Sequence, residues 1–283
     1  MTHICKICFG EHKMDTAFVF SGSGFLMYAH LGAAQCLYDK NMRPDIVVGT
    51  SGGSIVAAFL ATGKEPKDAL EISKKILPKS FIKFNGMFYA KNHWGFFTLD
   101  GLEKVIKPYI PIKFCDSKLS LHVVTTNTSI GKTFVFSPES TPSFEVAKAV
   151  RASCSIPVIF EPMYQKECDM LYTDGGSTNN LAVDLDVVKK AKRVYAIRLF
   201  SGDDNVKKPE SFVDYLFNTL GCMMHEIERK HIEDASEFAK IITIHVPFNG
   251  MNFLAIDEKK IQWMYDVGYA TMEQKIKDGK VLV

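Results

Sequence analysis

Residues 45–58 read DIVVGTSGGSIVAA, and this stretch decides the fold. The apolar run 46–48 is typical of a buried strand, and the small and apolar residues after the glycines are typical of a helix. Between the two lies a G-x-S-x-G pattern in which Ser51 is flanked by Gly49 and Gly53. A serine at such a sharp turn lies beside the free N–H groups of the helix, as an activated nucleophile does. The simpler interpretation is a glycine-rich turn whose serine only caps the helix.

Strand-like and helix-like stretches alternate along most of the chain. The pattern predicts strands at 16–21, 46–49, 119–126, 132–136, 170–173, 194–200 and 241–246. It predicts helices at 25–38, 53–62, 66–76, 99–107, 144–152, 186–193, 209–235 and 257–276. We therefore expect an α/β fold with three α/β/α layers and a mainly parallel central sheet. Because no linker or repeat divides the sequence, we expect an N-terminal extension over 1–15 and a single domain over 16–283.

The composition limits the class of function. A net charge of +2 over 283 residues does not support nucleic-acid binding. Seven scattered cysteines predict reduced thiols in a cytoplasmic protein. Cys5 and Cys8 form the one close pair, and two ligands do not make a zinc site, so we expect no metal and no cofactor. The sequence shows neither a secretory signal nor an apolar run of membrane-spanning length, so we expect any membrane contact to be peripheral.

A nucleophilic serine needs a general base, and two residues compete for that role. His245 follows Ser51 in the order that is usual for a Ser-Asp-His triad, but it lies inside a strand-like run. Asp174 follows a short apolar strand and precedes two glycines, at a turn that backbone can approach closely. A partly desolvated carboxylate within hydrogen-bond distance can take the serine proton itself. Asp174 is therefore the stronger candidate, although Asp-Gly-Gly is also a common turn signal.

A second glycine-rich turn follows the first predicted strand. Residues 22–24, Gly-Ser-Gly, open the first predicted helix and can aim several N–H groups at one point. Such a turn suits either an oxyanion or a phosphate group. It is neither G-x-G-x-x-G nor a P-loop, and this argues against a nucleotide site.

Together these three segments resemble the patatin-like phospholipase family. The family's oxyanion loop, nucleophile elbow and catalytic aspartate motif are matched by residues 22–24, 49–53 and 174–176. Residues 95–102, 151–157 and 179–183 also resemble family motifs in the family order. The resemblance extends over about residues 16–200.

The resemblance implies a calcium-independent lipid acyl hydrolase that acts on phospholipid or lysophospholipid esters. Ser51 would attack the ester carbonyl and Asp174 would act as the base, in a dyad without histidine and through an acyl-enzyme. The oxyanion would be held by N–H groups of Gly22, Ser23, Gly24 and Gly52.

The chain departs from the family's usual loop, G-G-G-x-R-G, at two positions. Ser23 replaces the middle glycine, and Leu26 stands where the family has arginine. Loss of that positive charge leaves open a catalytically weak lipid-binding or membrane-recruited module. A conventional Ser-Asp-His esterase that uses His245 is the other alternative.

Residues 79–97 mix large apolar side chains with lysines, which favours an interfacial surface that meets lipid and anionic head groups. Core packing of a cap over the sheet explains the same pattern equally well. The residues concerned are Phe81, Phe84, Met87, Phe88, Trp94, Phe96 and Phe97, with Lys79, Lys83 and Lys91. We expect the methionine-bearing helix 209–235 to pack in the core rather than to line an acyl tunnel.

Overall fold

The computed structural model describes residues 14–85, 94–200, 209, 212–235, 237–247 and 255–282. Most of the predicted N-terminal extension, with Cys5 and Cys8, lies outside these residues. The strands are β1 (Thr16–Phe20), β2 (Ile46–Thr50), β3 (Lys83–Phe84), β4 (Gly95–Thr98), β5 (Ser120–Asn127), β6 (Lys132–Phe136), β7 (Val158–Phe160), β8 (Met163–Gln165), β9 (Met170–Asp174), β10 (Arg193–Phe200) and β11 (Lys240–His245). The helices are α1 (Met27–Asp39), α2 (Gly52–Ala61), α3 (Pro66–Lys75), α4 (Asp100–Ile106), α5 (Val146–Ser153), α6 (Asp186–Lys189), α7 (Phe212–Ala235) and α8 (Glu258–Lys277).

The main sheet runs in the order β11-β10-β1-β2-β5-β9-β8, and β6 also pairs with β5. Strands β11, β10, β1, β2 and β5 are parallel, whereas β6, β8 and β9 join by antiparallel pairing. The prediction of a mainly parallel sheet is therefore confirmed. Sequence analysis missed β3, β4, β7 and β8, because strands of two to four residues are too short to show alternation. Strands β3, β4 and β7 form a small second sheet.

Strands β2 and β9 lie end to end along one edge of β5. Residues 125–127 of β5 pair with both β6 and β9, and residues 123–124 pair with both β6 and β2. Because a strand has two edges, β2 and β9 share the edge opposite β6. Thr50 pairs with residue 124 and Asp174 pairs with residue 125. The antiparallel direction of β9 thus brings Asp174 to the end of β2.

Both faces of the sheet are buried, which confirms the three-layer prediction. On β1, Phe18 and Phe20 enter the larger core with α1, α2, α3 and α8, whereas Ala17 and Val19 point to the opposite face. There they pack in a second core with residues 181–183, α6 and the end of α7. Alternate side chains of one strand therefore serve two separate cores.

Helices α1 and α8 pack backbone against backbone through two glycines. A Cβ atom at Gly32 would overlap the carbonyl oxygen of Tyr265, and one at Gly268 would overlap that of Ala29. Neither partner is a flexible side chain, so neither contact can relax without moving a helix.

We expect Gly32→Ala and Gly268→Ala each to lower the free energy of unfolding by about 2 kcal/mol, because the added methyl group overpacks a rigid contact. Gly221→Ala in α7 is the matched control, since apart from its own helix no described residue has an atom within 4 Å of its added Cβ. The control should raise stability by up to about 1 kcal/mol, as alanine is the better helix former. Urea denaturation measures all three, and similar effects at the three positions would contradict this account of the packing.

Candidate active site

Ser51 occupies a strained turn between β2 and α2. Its backbone angles, φ 50° and ψ −124°, are unfavourable for a residue with a Cβ atom. The turn packs closely on the sheet, because a Cβ at Gly53 would lie 2.5 Å from the carbonyl oxygen of Phe20. Ser51 precedes the first residue of α2, yet its hydroxyl makes no capping hydrogen bond. The capping interpretation of this serine therefore lacks its defining contact.

The turn is held by two other serines. The N–H of Ser51 donates to Ser153 Oγ at 2.8 Å, and the Ser153 hydroxyl donates to the carbonyl oxygen of Val124 at 2.6 Å. The Ser54 hydroxyl donates to the carbonyl oxygen of Ser51 at 2.6 Å. These bonds fix the backbone of Ser51 and leave its own hydroxyl free of that task.

Asp174 is 1% exposed and is anchored through its backbone. Its N–H donates to the carbonyl oxygen of Ser155 at 2.9 Å, and the Thr126 hydroxyl donates to its carbonyl oxygen at 2.9 Å. One carboxylate oxygen, Oδ1, accepts the N–H of Gly176 at 2.8 Å. Ser153 and Ser155, two residues apart, therefore hold the serine turn and the aspartate turn respectively.

Burial raises the pKa of Asp174 to about 6, while the neighbouring Ser51 hydroxyl and the Gly176 N–H act in the opposite direction. The second oxygen, Oδ2, has no hydrogen-bond partner in the part of the chain that the structure describes. The carboxylate is thus a stronger base than an ordinary aspartate, with a free oxygen and the Ser51 hydroxyl nearby.

The glycine-rich turn at residues 22–24 lies against Gly52. A Cβ at Gly52 would overlap the carbonyl oxygen of Gly24 and lie 2.9 Å from Ser23 Oγ, a buried hydroxyl without a partner among the described residues. The N–H of Gly22, however, donates to the carbonyl oxygen of Asn180 at 2.9 Å. The sequence predicts that the Gly22 N–H binds the oxyanion. In the structure this N–H is instead used to hold the loop against Asn180. Gly24 and Gly52 each begin a helix, so their N–H groups have no partner within that helix.

The structure does not bring His245 to Ser51. His245 ends β11, three strands away from β2, and adjacent strands are about 4.8 Å apart, which places it about 14 Å to the side. His30 is buried and hydrogen-bonded to the carbonyl oxygen of Ser21, and burial lowers its pKa to about 3. Within the described ranges, no histidine hydrogen-bonds to Ser51 or Asp174.

An apolar cavity of about 190 Å³ is lined by Ser51 and by residues of α3, α4 and the small sheet. Near the serine it is lined by Gly24, Gly52 and Cys154, whose thiol pKa is raised by burial. Its wall also includes Ile76, Phe81, Phe97, Leu102, Ile106 and Phe160. Sequence analysis missed this lining, because apolar helix faces that enclose a cavity have the same pattern as faces that fill a core.

Leu26, at the position of the family's arginine, is 3% exposed and packs in the larger core. Across the described ranges there is no group of three or more metal-binding side chains. None of the helices described is both long and apolar enough to cross a membrane.

The central, mainly parallel sheet with helices on both faces is the fold of a patatin-like domain. The family model for patatin-like phospholipases matches residues 18–187, and the chain belongs to this family. Membership supports lipid hydrolase activity in general terms.

The chain is also similar to individual proteins. The chain is 29% identical to uncharacterized protein R571 of Acanthamoeba polyphaga mimivirus over 280 residues, which cover 90% of this chain and 92% of the relative. It is 25% identical to probable lipid hydrolase 463L of Invertebrate iridescent virus 6 over 188 residues, or 62% of this chain and 64% of the relative. VipD from Legionella pneumophila has the same fold, with a TM-score of 0.53 and 14% identity over 94% of this chain and 67% of that one.

The raised pKa of Asp174 means that the ionised carboxylate destabilises the folded state. This group's contribution to stability is fully present below its unfolded pKa and is lost as the pH rises through about 6. Asp174→Asn keeps an acceptor for Gly176 and removes the charge. We expect it to raise the free energy of unfolding by roughly 3 kcal/mol at pH 8 and to have little effect at pH 4.

Thermal and urea unfolding across this pH range test the expectation. Asp266→Asn, at an exposed position on α8, is the control and should change stability little at any pH. A gain for Asp174→Asn that does not depend on pH would contradict the assigned origin of the effect.

Proposed function

We propose that this protein is a serine lipid acyl hydrolase of the phospholipase A or lysophospholipase type. It would cleave carboxylic esters of membrane lipids through a Ser51–Asp174 dyad and an acyl-enzyme. The observation that carries the proposal is that the strained serine lies beside the buried carboxylate and also lines the apolar cavity.

In the first half of the reaction, Ser51 Oγ attacks the ester carbonyl carbon and Asp174 accepts the hydroxyl proton. The carbonyl oxygen becomes an oxyanion, held by N–H groups of Ser23, Gly24 and Gly52. When the tetrahedral intermediate collapses, the bond to the leaving alcohol breaks. The alcohol takes the proton from Asp174 and departs, and the acyl group remains on the serine oxygen.

In the second half, water replaces the alcohol. Asp174 accepts a proton from the water as its oxygen attacks the acyl carbon, and a second tetrahedral intermediate forms. Its collapse releases the fatty acid and returns the proton to Ser51. A pKa of about 6 suits this role, because the carboxylate is ionised at neutral pH and still basic enough to accept a proton.

The cavity supports a long apolar acyl group as the part of the substrate that enters the protein. Its lining is almost entirely hydrocarbon, so binding is favoured by the transfer of an acyl chain out of water. The backbone N–H donors do not depend on the side chain at position 26. Leu26 therefore does not weaken the oxyanion site directly, and this favours a hydrolase over a module that only binds lipid.

We further propose peripheral membrane contact through the β3–β4 region. Phe84 and Trp94 are 69% and 54% exposed, and Lys83 is exposed beside them. The Phe84 ring packs on Phe97, which lines the cavity, so this surface lies next to the path of the acyl chain. Phe81 instead belongs to the core, whereas Met87, Phe88 and Lys91 lie outside the described residues.

We expect Ser51→Ala and Asp174→Asn each to lower kcat/KM for a p-nitrophenyl ester by roughly 10³-fold or more, because each removes one half of the dyad. His245→Asn should stay within about twofold of the unmodified protein. The dyad takes its base from the protein, so activity should persist in EDTA. A loss of activity in folded His245→Asn would overturn the dyad in favour of the triad.

A fluorophosphonate probe separates catalysis from lipid binding alone. The probe should label the unmodified protein at Ser51 and leave Ser51→Ala unlabelled. Folded protein that binds phospholipid vesicles but resists the probe would favour the binding module.

For the membrane surface, we expect Phe84→Ser with Trp94→Ala to weaken binding to phosphatidylcholine–phosphatidylserine vesicles on the order of tenfold, since two exposed aromatic side chains no longer enter the lipid. Activity on a soluble ester should be unchanged. Ile130→Ser is the matched control, because Ile130 is 53% exposed at the β5–β6 turn. Equal vesicle binding by the double variant and the control would locate the membrane contact elsewhere.

A further inference from the structure

Helix α7 follows the segment that the family model matches, yet it packs directly on the candidate site. The match ends at residue 187, and α7 spans Phe212–Ala235. Met224 of this helix lies over Gly176, since a Cβ there would be 2.5 Å from the Met224 methyl group. One turn further along, Glu228 enters the protein interior and is 1% exposed. A buried carboxylate beside an active site requires a physical explanation.

The contacts of Glu228 join α7 to two other parts of the fold. Its Oε1 accepts the side-chain amide of Asn180 at 3.0 Å, and its Oε2 accepts Arg198 Nε at 2.8 Å. The ring nitrogen Nδ1 of His225 is 3.7 Å from Oε2. Burial raises the pKa of this carboxyl, but His225, Arg198 and Asn180 together hold it below its ordinary range. The carboxylate is therefore ionised and accepts from two donors that face it from different elements.

Asn180 connects this carboxylate to the oxyanion loop. Its backbone oxygen accepts the N–H of Gly22 at 2.9 Å. Its side-chain oxygen lies against both Gly22 and Gly176, where an added Cβ would meet it. A carboxylate can only accept, so Glu228 requires the NH₂ group of Asn180 to face it and turns the amide oxygen toward the site. The orientation of Asn180 is thus set by α7.

A buried ion pair is weak evidence for stability, because an apolar replacement is often as stable. Here the pair is connected to the loop that meets Gly52 and flanks Ser51. A Cβ at Gly22 would lie 3.5 Å from Ser51 Cβ, so a small displacement of the loop changes the oxyanion geometry.

We propose that Glu228 is a positioning residue, which acts through Asn180 to hold the oxyanion loop in register with Ser51. The inference rests on the proposed hydrolase function. It assigns a part in the reaction to α7, a helix that lies beyond the segment matched by the family model.

Glu228→Gln is the first test, because an amide can accept from Asn180 or from Arg198 but must present its own NH₂ to the other. We expect kcat for a soluble p-nitrophenyl ester to fall on the order of 10- to 100-fold, with KM within about threefold. The rate of fluorophosphonate labelling at Ser51 should fall in parallel. Glu226→Gln is the matched control: this exposed glutamate of α7 pairs with Arg229, and its kcat should be unchanged.

Asn180→Ala keeps the test decisive if Glu228→Gln does not fold. It leaves the pair between Glu228 and Arg198 and the backbone bond from Gly22 intact, and removes the side-chain amide that joins Glu228 to the loop. The proposal requires the same loss in kcat with little change in KM. A folded Glu228→Gln or Asn180→Ala variant with kcat within twofold of the unmodified protein overturns it. Retained activity in Ser51→Ala would instead overturn the proposed function, so the two failures are distinguishable.

Discussion

The candidate site depends on one constraint of the sheet: β2 and β9 meet end to end on the same edge of β5. Thr50, the last residue of β2, pairs in the parallel direction with residue 124 of β5, and Ser51 follows it directly. Asp174, the last residue of β9, pairs in the antiparallel direction with residue 125. Adjacent residues of β5 pair with the two strands, so the hydrogen-bond spacing of a sheet limits how far apart the serine and the aspartate can be. Ser153 and Ser155 then hold the two turns from one short segment.

This arrangement costs folding free energy in two places. Ser51 adopts dihedral angles that a Cβ atom disfavours, and Asp174 keeps a carboxylate away from water. The surrounding structure is closely packed, with glycines against backbone atoms and serine hydroxyls bonded to carbonyl oxygens. Strain and a buried charge at one point are characteristic of sites that are organised for chemistry rather than for stability.

Several parts of the site come from elements outside the three glycine-rich segments. The cavity wall uses α3, α4 and the small sheet, and the support of the oxyanion loop includes Glu228 of α7. The sequence predicts a helix over 209–235 but does not show that it packs on the site. Residues of the aromatic stretch 79–97 have different environments: Phe81 lies in the core and Phe84 is exposed, although both have the same local sequence pattern. Such differences depend on which surfaces meet in space, and a linear pattern does not contain that information.

The sequence by itself determined the α/β class, most helices and strands, and the three glycine-rich turns, because strand alternation, helical spacing and glycine turns are local properties. The sequence favoured Asp174 over His245 but left both open; only the tertiary structure places Asp174 beside Ser51 and His245 three strands away, since that depends on the pairing order of strands far apart in the chain. Only the tertiary structure shows that the Gly22 N–H donates to Asn180 and that Leu26 packs in the core. Local spacing predicts which residues can react, whereas strand register and helix packing determine which of them meet.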